Sequence, residues 1–353
     1  MTRTFGLCLA GVLSVLLSLE LLCRVLPVST STETGYYTDP LILTYPARHR
    51  WVAATGWDLR NAQTLQANNL GYAADRDFVL NERAVALIGD SYVEASMLPA
   101  AARPGAQLER LLGSRPVYAM GAPGTALLDY AERIRYAHEK LGVRDFVILM
   151  ERGDVKQSLC GSGNVKGPCL DPKTLVPRVE TLSPPGVAKR LLRQSALAQY
   201  LISQLRVTPQ ALLDQLKPKW LLTPHAVAQP AAQAPSTPVW SDNTKREIDA
   251  VATAFFERIK PHVRGQLVVV VDGVRVLKPN RPRESDPARQ YFINLARAAG
   301  AVVVDAEPVF AQHMATSPLK LQVGPYDGHL NALGVGLVVK AAAQALDAKR
   351  DLK

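Results

Sequence analysis

The chain has 353 residues, and its composition is typical of a globular protein, with 48% hydrophobic and 20% charged residues. It is long for one domain by the usual ~150 residues per domain, although α/β domains often run larger. The formal net charge of +10 suits an anionic partner, such as a membrane surface, an acidic polysaccharide or nucleic acid. Aromatic residues make up only 6%, and no RNP-like motif or zinc-finger spacing is present. We therefore expect no nucleic-acid partner.

The first 28 residues are predicted to form a signal anchor. Arg3 precedes an uncharged apolar run from Phe5 to Leu19, which Glu20 and Arg24 then interrupt. The run is about as long as the apolar region of a signal peptide, ~7–15 residues. With its tail it reaches the ~20 residues that span a bilayer.

No Ala-x-Ala cleavage pattern follows this segment. An uncleaved anchor is therefore favoured, with residues 5–28 in a bacterial inner membrane as a single pass and the rest of the chain in the periplasm. The alternative is a cleaved and secreted protein. Both interpretations export the remainder of the chain.

The cysteine pattern agrees with export. Cys160 and Cys169 enclose a turn-rich octet that can close as a disulfide loop in an oxidising compartment. A metal site is the alternative, but no histidine or second cysteine pair lies nearby. Cys8 and Cys23 are interpreted as small hydrophobic residues of the apolar segment. We expect no metal and no cofactor.

Residues 29–80 are predicted to form an irregular lead-in, and residues 81–350 one α/β domain. Alternating strands and helices at this spacing indicate a parallel sheet that is covered on both faces. The predicted strands are 84–88, 117–120, 146–150, 267–271 and 302–304, and the predicted helices begin near 92 and include 108–112, 127–141, 243–259, 288–299 and 331–346, with a turn at 324–329.

An insertion at 156–240 interrupts this alternation. It holds an amphipathic stretch from Val187 to Leu205 and a Pro/Ala/Gln-rich segment, Thr223 to Pro238. The second segment has too few large apolar side chains to pack a core, so it is interpreted as a mobile linker or disordered loop. The basic stretch 183–220 would suit anionic lipid or an acidic glycan. A solvated helix face is the favoured interpretation, because surface helices usually carry one.

The apolar run that starts at Ala84 ends in a Gly-Asp-Ser turn and leads into a helical pattern. This places Ser91 at the carboxyl edge of a sheet, where open α/β folds bind their ligands. It also places Ser91 at a helix start, whose free N–H groups can stabilise an oxyanion. Ser91 thus has two interpretations, a nucleophile or the N-cap of a capping box with Glu94.

A candidate base lies near the C-terminus, in Asp327-Gly328-His329. The carboxylate of Asp327 is close enough in sequence to fix the imidazole tautomer of His329 and to stabilise its charged form. This pair favours the nucleophile interpretation of Ser91. Three other histidines have surface, linker or unpaired positions and are not expected to be catalytic: His138, His225 and His313.

Three short blocks resemble the first, second and fifth sequence blocks of the SGNH/GDSL hydrolases: Ile88–Ser91, Gly121–Gly124 and Asp327–Asn331. The resemblance covers roughly 69–155 and 265–350. It implies a flavodoxin-like three-layer α/β sandwich with a parallel sheet. It also implies a triad, with Ser91 as nucleophile, His329 as base and Asp327 as the residue that orients the base.

The resemblance further implies an oxyanion hole from the backbone N–H groups of Ser91 and Gly124, with Gly121 as the alternative glycine. The family's third block supplies an Asn side chain as another donor, but Gly153 occupies that position here. Arg152 is the candidate substitute. Equally, Arg152 and Asp154 could form an ordinary ion pair at the strand end.

The stretch Asn69–Tyr72 is similar to membrane-anchored members that are associated with bacterial cell-surface polysaccharide. The expected activity is a Ser-dependent acyl esterase (deacetylase) or O-acyltransferase that acts on a cell-envelope or exopolysaccharide glycan through an acyl-enzyme. The expected partners are the acylated glycan and polysaccharide assembly proteins. The alternatives are a catalytically weak or inactive glycan-binding component of an assembly complex, and a structural envelope protein in which Ser91 is a helix cap.

Overall fold

The computed structural model describes residues 2–30, 33–113, 115–162, 166–182, 185–207, 240–276 and 286–348. These residues divide between two compact units. The smaller unit is formed by 1–32, 50–65 and 183–236, and the larger by 33–49, 66–182 and 237–353. The predicted linker Thr223–Pro238, with His225, lies outside the described residues.

The smaller unit begins with α1 (Thr2–Val25). One helix in the described part of the chain, Arg3–Val25, is long and apolar enough to cross a membrane. The described residues of the insertion add to this unit the helices α6 (Val187–Gln194) and α7 (Ala196–Gln199) and a π-helical turn, Tyr200–Gln204.

Residues 29–80 contain four strands, so the prediction of an irregular lead-in is wrong. The strands form two two-stranded sheets: β1 (Gly35–Asp39) with β2 (Ile42–Thr44), and β3 (Arg50–Thr55) with β4 (Arg60–Gln66). Their residues mix polar and aromatic types, and half-buried positions follow one another along β1 and β3. The apolar and polar residues therefore do not alternate clearly enough to predict strands.

The larger unit is built on five parallel strands, in the spatial order β6–β5–β7–β10–β11. They are β5 (Val85–Gly89), β6 (Val117–Gly121), β7 (Asp145–Met150), β10 (Leu267–Val271) and β11 (Val302–Asp305). In order of occurrence this is 2-1-3-4-5, the flavodoxin-like arrangement. Its topological switch point lies between β5 and β7, and ligands bind outside the carboxyl ends of such strands.

Helices cover both faces of this sheet, as predicted. Successive residues of β5 enter opposite cores: Ala86 and Ile88 face one, and Val85 and Leu87 face the other. The first core is closed by α4 (Leu127–Leu141), α8 (Asp242–Ile259) and α9 (Pro287–Ala298). The second is closed by α2 (Ser91–Glu94), α3 (Pro104–Leu111), α10 (Ala306–Thr316) and α11 (Ala332–Asp347).

Three local features refine the sequence predictions. The helix predicted from residue 92 is only one turn, α2, and a 3₁₀ turn at Ala100–Ala102 precedes α3. The predicted turn at 324–329 contains a small antiparallel pair, β12 (Gln322–Gly324) with β13 (Asp327–Leu330). The short helix α5 (Asp154–Gln157) leads into the insertion, which then forms an antiparallel pair, β8 (Pro168–Leu170) with β9 (Pro177–Val179), beside the Cys160–Cys169 disulfide.

Candidate active site

The turn after β5 presents Ser91. Gly89 ends the strand where a Cβ would lie 2.5 Å from the carbonyl oxygen of Leu149, so only glycine fits there. Asp90 is the N-cap of α2, and its Oδ1 accepts a hydrogen bond of 2.8 Å from the backbone N–H of Tyr92. Ser91 is thus the first residue of the helix and not its cap.

The interpretation of Ser91 and Glu94 as a capping box is therefore wrong. A capping serine at 91 would accept from the N–H of Val93 or Glu94, but both of these groups donate to the carbonyl oxygen of Asp90 at 3.2 Å. Glu94 is buried and accepts a hydrogen bond of 3.1 Å from the Tyr45 hydroxyl instead. The hydroxyl of Ser91 is left available for chemistry.

The three residues of the predicted triad come together at the carboxyl edge of the sheet. Ser91 Oγ lies 2.8 Å from His329 Nε2, and His329 Nδ1 lies 2.6 Å from Asp327 Oδ1. The same Asp327 oxygen accepts a hydrogen bond of 2.9 Å from the backbone N–H of His329. This geometry lets the imidazole take the serine proton while the carboxylate fixes the imidazole's orientation.

The surroundings of His329 favour its protonated form. Burial by itself lowers the pKa of His329, but the hydrogen bond and charge of Asp327, with the charge of Asp90, outweigh it. The net result is a pKa above the usual value for histidine. An imidazolium that forms when Ser91 loses its proton is thereby stabilised.

Two backbone N–H groups are available for an oxyanion. In the part of the chain that the structure describes, neither the N–H of Ser91 nor that of Gly124 has a hydrogen-bond partner. Gly124 has a φ of 75°, which favours glycine, in the turn that follows β6. This turn is tied to the nucleophile turn by the N–H of Ala122, which donates to the carbonyl oxygen of Gly89 at 3.3 Å.

Gly121, the alternative to Gly124, has a packing role. A Cβ there would lie 2.3 Å from the backbone nitrogen of Glu94, so glycine allows α2 to pack closely on β6.

The ion pair predicted between Arg152 and Asp154 is wrong. Asp154 is buried and accepts hydrogen bonds of 2.9 Å from the Tyr130 hydroxyl and of 2.9 Å from the N–H of Glu151. Burial, followed by the charges of Asp90 and Glu151, raises the pKa of Asp154 well above its usual value. The buried carboxyl group is thus bound by Tyr130 and the backbone of Glu151, and no ion pair joins it to Arg152 among the described residues.

The chain around Gly153 forms a local turn. The N–H of Gly153 donates to the carboxylate of Glu151. Among the described residues, no hydrogen bond joins Arg152 to Ser91 or His329, and its buried Nε has no partner. An oxyanion role for Arg152 stays a prediction.

Arg275 was not singled out from the sequence, yet it braces the triad. Its guanidinium donates to the Asp272 carboxylate and the Tyr92 hydroxyl, and Nη2 donates to the carbonyl oxygen of Gly328 at 3.0 Å. Asp272 directly follows β10, so these bonds fix the loop carrying His329 to the end of the sheet. Asp272 could have been predicted as a site residue, because it is polar and directly follows a strand. Arg275 lies three residues further on in an irregular segment, where no sequence pattern indicates its role.

A buried arginine also supports the turn that carries Ser91. Arg133 of α4 donates to the carbonyl oxygens of Gly89 at 2.7 Å and Met120 at 3.3 Å, and to Thr125 Oγ1 at 2.8 Å. It is fully buried. Its position on an amphipathic helix gave no sign of this, because arginine on such a helix is usually exposed.

The other described histidines lie in separate structural contacts. His138 Nδ1 lies 3.1 Å from the carbonyl oxygen of Val143, and His313 Nε2 lies 2.9 Å from that of Leu319. No group of three or more His, Cys, Asp or Glu side chains in the described residues is arranged to hold a metal ion.

The sheet order and the triad define the class of molecule: an α/β protein with a flavodoxin-like sheet and a Ser-His-Asp array of the serine hydrolase type. No family model matches the chain, and no curated protein is significantly similar to it in sequence.

Solved structures that resemble it include an alpha/beta hydrolase enzyme, LAE5, from the metagenome of Lake Arreo, Spain (13% identity, TM-score 0.38, 76% of this chain and 97% of that one). A member of the lipolytic protein G-D-S-L family from Veillonella parvula has 9% identity and a TM-score of 0.37, with coverage of 74% and 96%. AlinE4, an SGNH-hydrolase family esterase, has 15% identity and a TM-score of 0.31, with coverage of 76% and 97%. At these values the similarity supports no conclusion about activity or substrate.

Proposed function

We propose that the chain is a serine esterase of the SGNH/GDSL type that cleaves ester-linked acyl groups through an acyl-enzyme. The observation that carries the proposal is the continuous array from Ser91 Oγ through His329 to Asp327, with distances of 2.8 and 2.6 Å. A serine within hydrogen-bond reach of a base, which a third group orients, is the arrangement that nucleophilic catalysis needs.

The reaction follows from these positions. Ser91 Oγ attacks the ester carbonyl carbon while His329 Nε2 takes its proton, and the N–H groups of Ser91 and Gly124 bind the oxyanion. The tetrahedral intermediate collapses, and His329 returns the proton to the departing alcohol. Water or a sugar hydroxyl then attacks the acyl carbon, again with His329 as base, and Ser91 leaves as the free hydroxyl.

We propose that the acyl group is carried by a cell-envelope or exopolysaccharide glycan. Ser91 is partly exposed and the His329 side chain is 31% exposed, so the site is open. A polymer can reach an open site more easily than an enclosed pocket. The net charge of +10 favours an acidic chain. Attack by water makes the protein a deacetylase, and attack by a sugar hydroxyl makes it an O-acyltransferase, with polysaccharide assembly proteins as partners.

We also propose that α1 is an uncleaved signal anchor in the inner membrane, with the catalytic unit in the periplasm. The length and apolar surface of Arg3–Val25 support a membrane span. The Cys160–Cys169 disulfide supports an oxidising compartment.

The second candidate function is a catalytically weak or inactive glycan-binding component of a polysaccharide assembly complex. Gly153 favours it, because it stands where the family has an oxyanion-binding asparagine. Loss of one such donor costs about 2.7–4 kcal/mol of transition-state stabilisation.

A fluorophosphonate probe separates the two functions. The full chain in detergent is treated beside Ser91→Ala and His329→Ala, with His313→Ala as the matched histidine control. We expect labelling and release of acetate from small acetyl esters in the wild type and in His313→Ala only. An unlabelled wild type that is no faster than Ser91→Ala supports the binding function. Labelling that persists in Ser91→Ala refutes the site.

Adding acetylated polysaccharide with and without an acceptor glycan then distinguishes hydrolysis from transfer.

A further inference from the structure

The polar interruption of the N-terminal apolar segment has a structural partner in the insertion. The Glu20 carboxylate accepts hydrogen bonds from Ser195 Oγ at 2.7 Å and from the backbone N–H groups of Ala196 at 3.0 Å and Leu197 at 2.9 Å. Arg24 donates to the same carboxylate at 2.8 Å. Glu20 therefore holds the start of α7, and with it the end of α6, against α1.

The depth of Glu20 along α1 fixes the level of this attachment. Glu20 is 17 residues from Arg3, which is about 26 Å of helix. The hydrocarbon core of a bilayer is about 30 Å thick. When Arg3 lies at one boundary of the core, Glu20 lies near the other, and so do the end of α6 and the start of α7.

The helix α6 is strongly amphipathic. At 100° per residue, Val187, Leu191 and Leu192 share one face, while the three basic residues Lys189, Arg190 and Arg193 share the opposite one. The three apolar side chains are 64%, 62% and 48% exposed, so nothing among the described residues covers this face. The following turn exposes Leu201, Ile202 and Leu205 as well.

We propose that α6, with the turn 200–205, is an interfacial membrane-binding element that lies on an anionic lipid surface beside the end of α1. An amphipathic helix with basic residues opposite an apolar face binds bilayers in this way. Because α6 is held to α1, which we propose spans the membrane, the apolar face is already close to the lipid. No acidic residue occurs between Thr181 and Leu213, which matches the negative charge of the lipid headgroups.

Environment-sensitive fluorescence tests this proposal in the full chain. A single cysteine is introduced by Leu191→Cys on the apolar face or, as the matched control, Arg190→Cys on the basic face, in a Cys8→Ala/Cys23→Ala background. Each is labelled with a nitrobenzoxadiazole dye and reconstituted into phosphatidylcholine vesicles with or without phosphatidylglycerol. Some vesicles carry brominated acyl chains as a quencher.

We expect a blue-shifted emission and quenching by brominated lipid for the Leu191 label, more strongly with phosphatidylglycerol, and neither effect for the Arg190 label. Lys189→Gln/Arg193→Gln should lower the ratio of docked to undocked helix by about fivefold for each charge removed. Glu20→Ala should weaken docking in the same assay.

Three results overturn the proposal. One is a water-like, unquenched Leu191 label in vesicles that flotation shows to hold the chain. Another is equal quenching of both labels. The third is a Leu191 label that responds only when an acidic polysaccharide is added, which makes the face a glycan surface. Hydrolysis of small esters by the Lys189→Gln/Arg193→Gln variant should equal that of the wild type, so this test is independent of the proposed esterase activity.

Discussion

The orientation of the Ser91 hydroxyl depends on Asp90, one residue earlier. Because the Asp90 side chain takes the capping hydrogen bond, the serine hydroxyl is turned to His329 and not to the helix backbone. Burial, the largest influence, raises the pKa of Asp90, while its hydrogen bond from Tyr92 and the charge of His329 act against that rise. The residue that caps the helix therefore also shapes the electrostatics of the base.

Asp327→Asn should lower kcat on the order of 10⁴-fold, because the base loses the carboxylate that sets its tautomer and stabilises its charge. Activity requires neutral His329, so it falls as the pH drops through the pKa of His329, which lies above the usual value in the wild type. In the variant this acid limb should move to lower pH. A full kcat–pH profile of both proteins measures the effect, and an unmoved acid limb would contradict it.

Glu94→Gln should make the protein more stable at alkaline pH. Burial, opposed by the Tyr45 hydrogen bond, raises the pKa of Glu94 to about 7 from a usual value of 4.5. The folded state thus holds a proton that the unfolded state releases, and the free energy of unfolding falls by about 3 kcal/mol as the pH rises from 4.5 to 7. In Glu94→Gln the side chain does not titrate, so the free energy of unfolding does not fall in this way as the pH rises.

Urea unfolding of wild type and Glu94→Gln in detergent, at pH 5 and pH 8, checks this sign. The difference between the two proteins should be larger at pH 8. A difference that does not vary with pH would show that Glu94 does not titrate in this range.

At the scale of elements, the site is a junction between the sheet and one loop. Ser91 belongs to the turn after β5, and His329 and Asp327 belong to β13, which is outside the five-stranded sheet. Arg275 joins the two, because it bonds to Asp272 after β10 and to the carbonyl oxygen of Gly328 in β13. It is a positioning residue that acts through His329.

Arg275→Met should lower kcat on the order of 10²-fold, because the loop carrying His329 is no longer held and small misplacements of a catalytic group are costly. KM for a small ester should change little, since Arg275 faces protein groups. Arg275→Lys keeps the charge without the forked geometry and should be intermediate. Arg297→Met, an exposed arginine in the last turn of α9, is the control. A rise in KM alone would indicate that Arg275 binds substrate instead.

At the scale of the whole molecule, all three triad residues lie in the larger unit, and Glu20 and its partners lie in the smaller one. Glu20→Ala should therefore leave kcat/KM for a soluble acetyl ester unchanged, although we expect it to release α6 from α1. Steady-state kinetics of the detergent-solubilised variant test this, with Ser91→Ala as the inactive reference. A large loss of activity would show that the smaller unit supports the chemistry.

The sequence was sufficient for the parallel sheet, because its strands are apolar runs such as Val85–Ile88 and Leu267–Val271 bounded by turn residues. It was also sufficient to predict that Ser91, Asp327 and His329 come together, from a serine in the turn after a strand and an Asp-x-His in a turn before a helix. It could not show the four strands of 29–80, where polar and apolar residues do not alternate. It also could not show Arg133, Arg275 or the Glu20 contacts, because these depend on pairing between distant segments.

The triad is divided between the beginning and the end of the α/β unit, since Ser91 precedes its base by 238 positions. While the chain is being synthesised, Ser91 is therefore present without the histidine that could remove its proton. In the proposed mechanism it becomes a nucleophile only once β13 has brought His329 within hydrogen-bond reach of Ser91. Activation of the serine therefore requires the C-terminal part of the chain to be folded in place, and any esterase activity would report that it is.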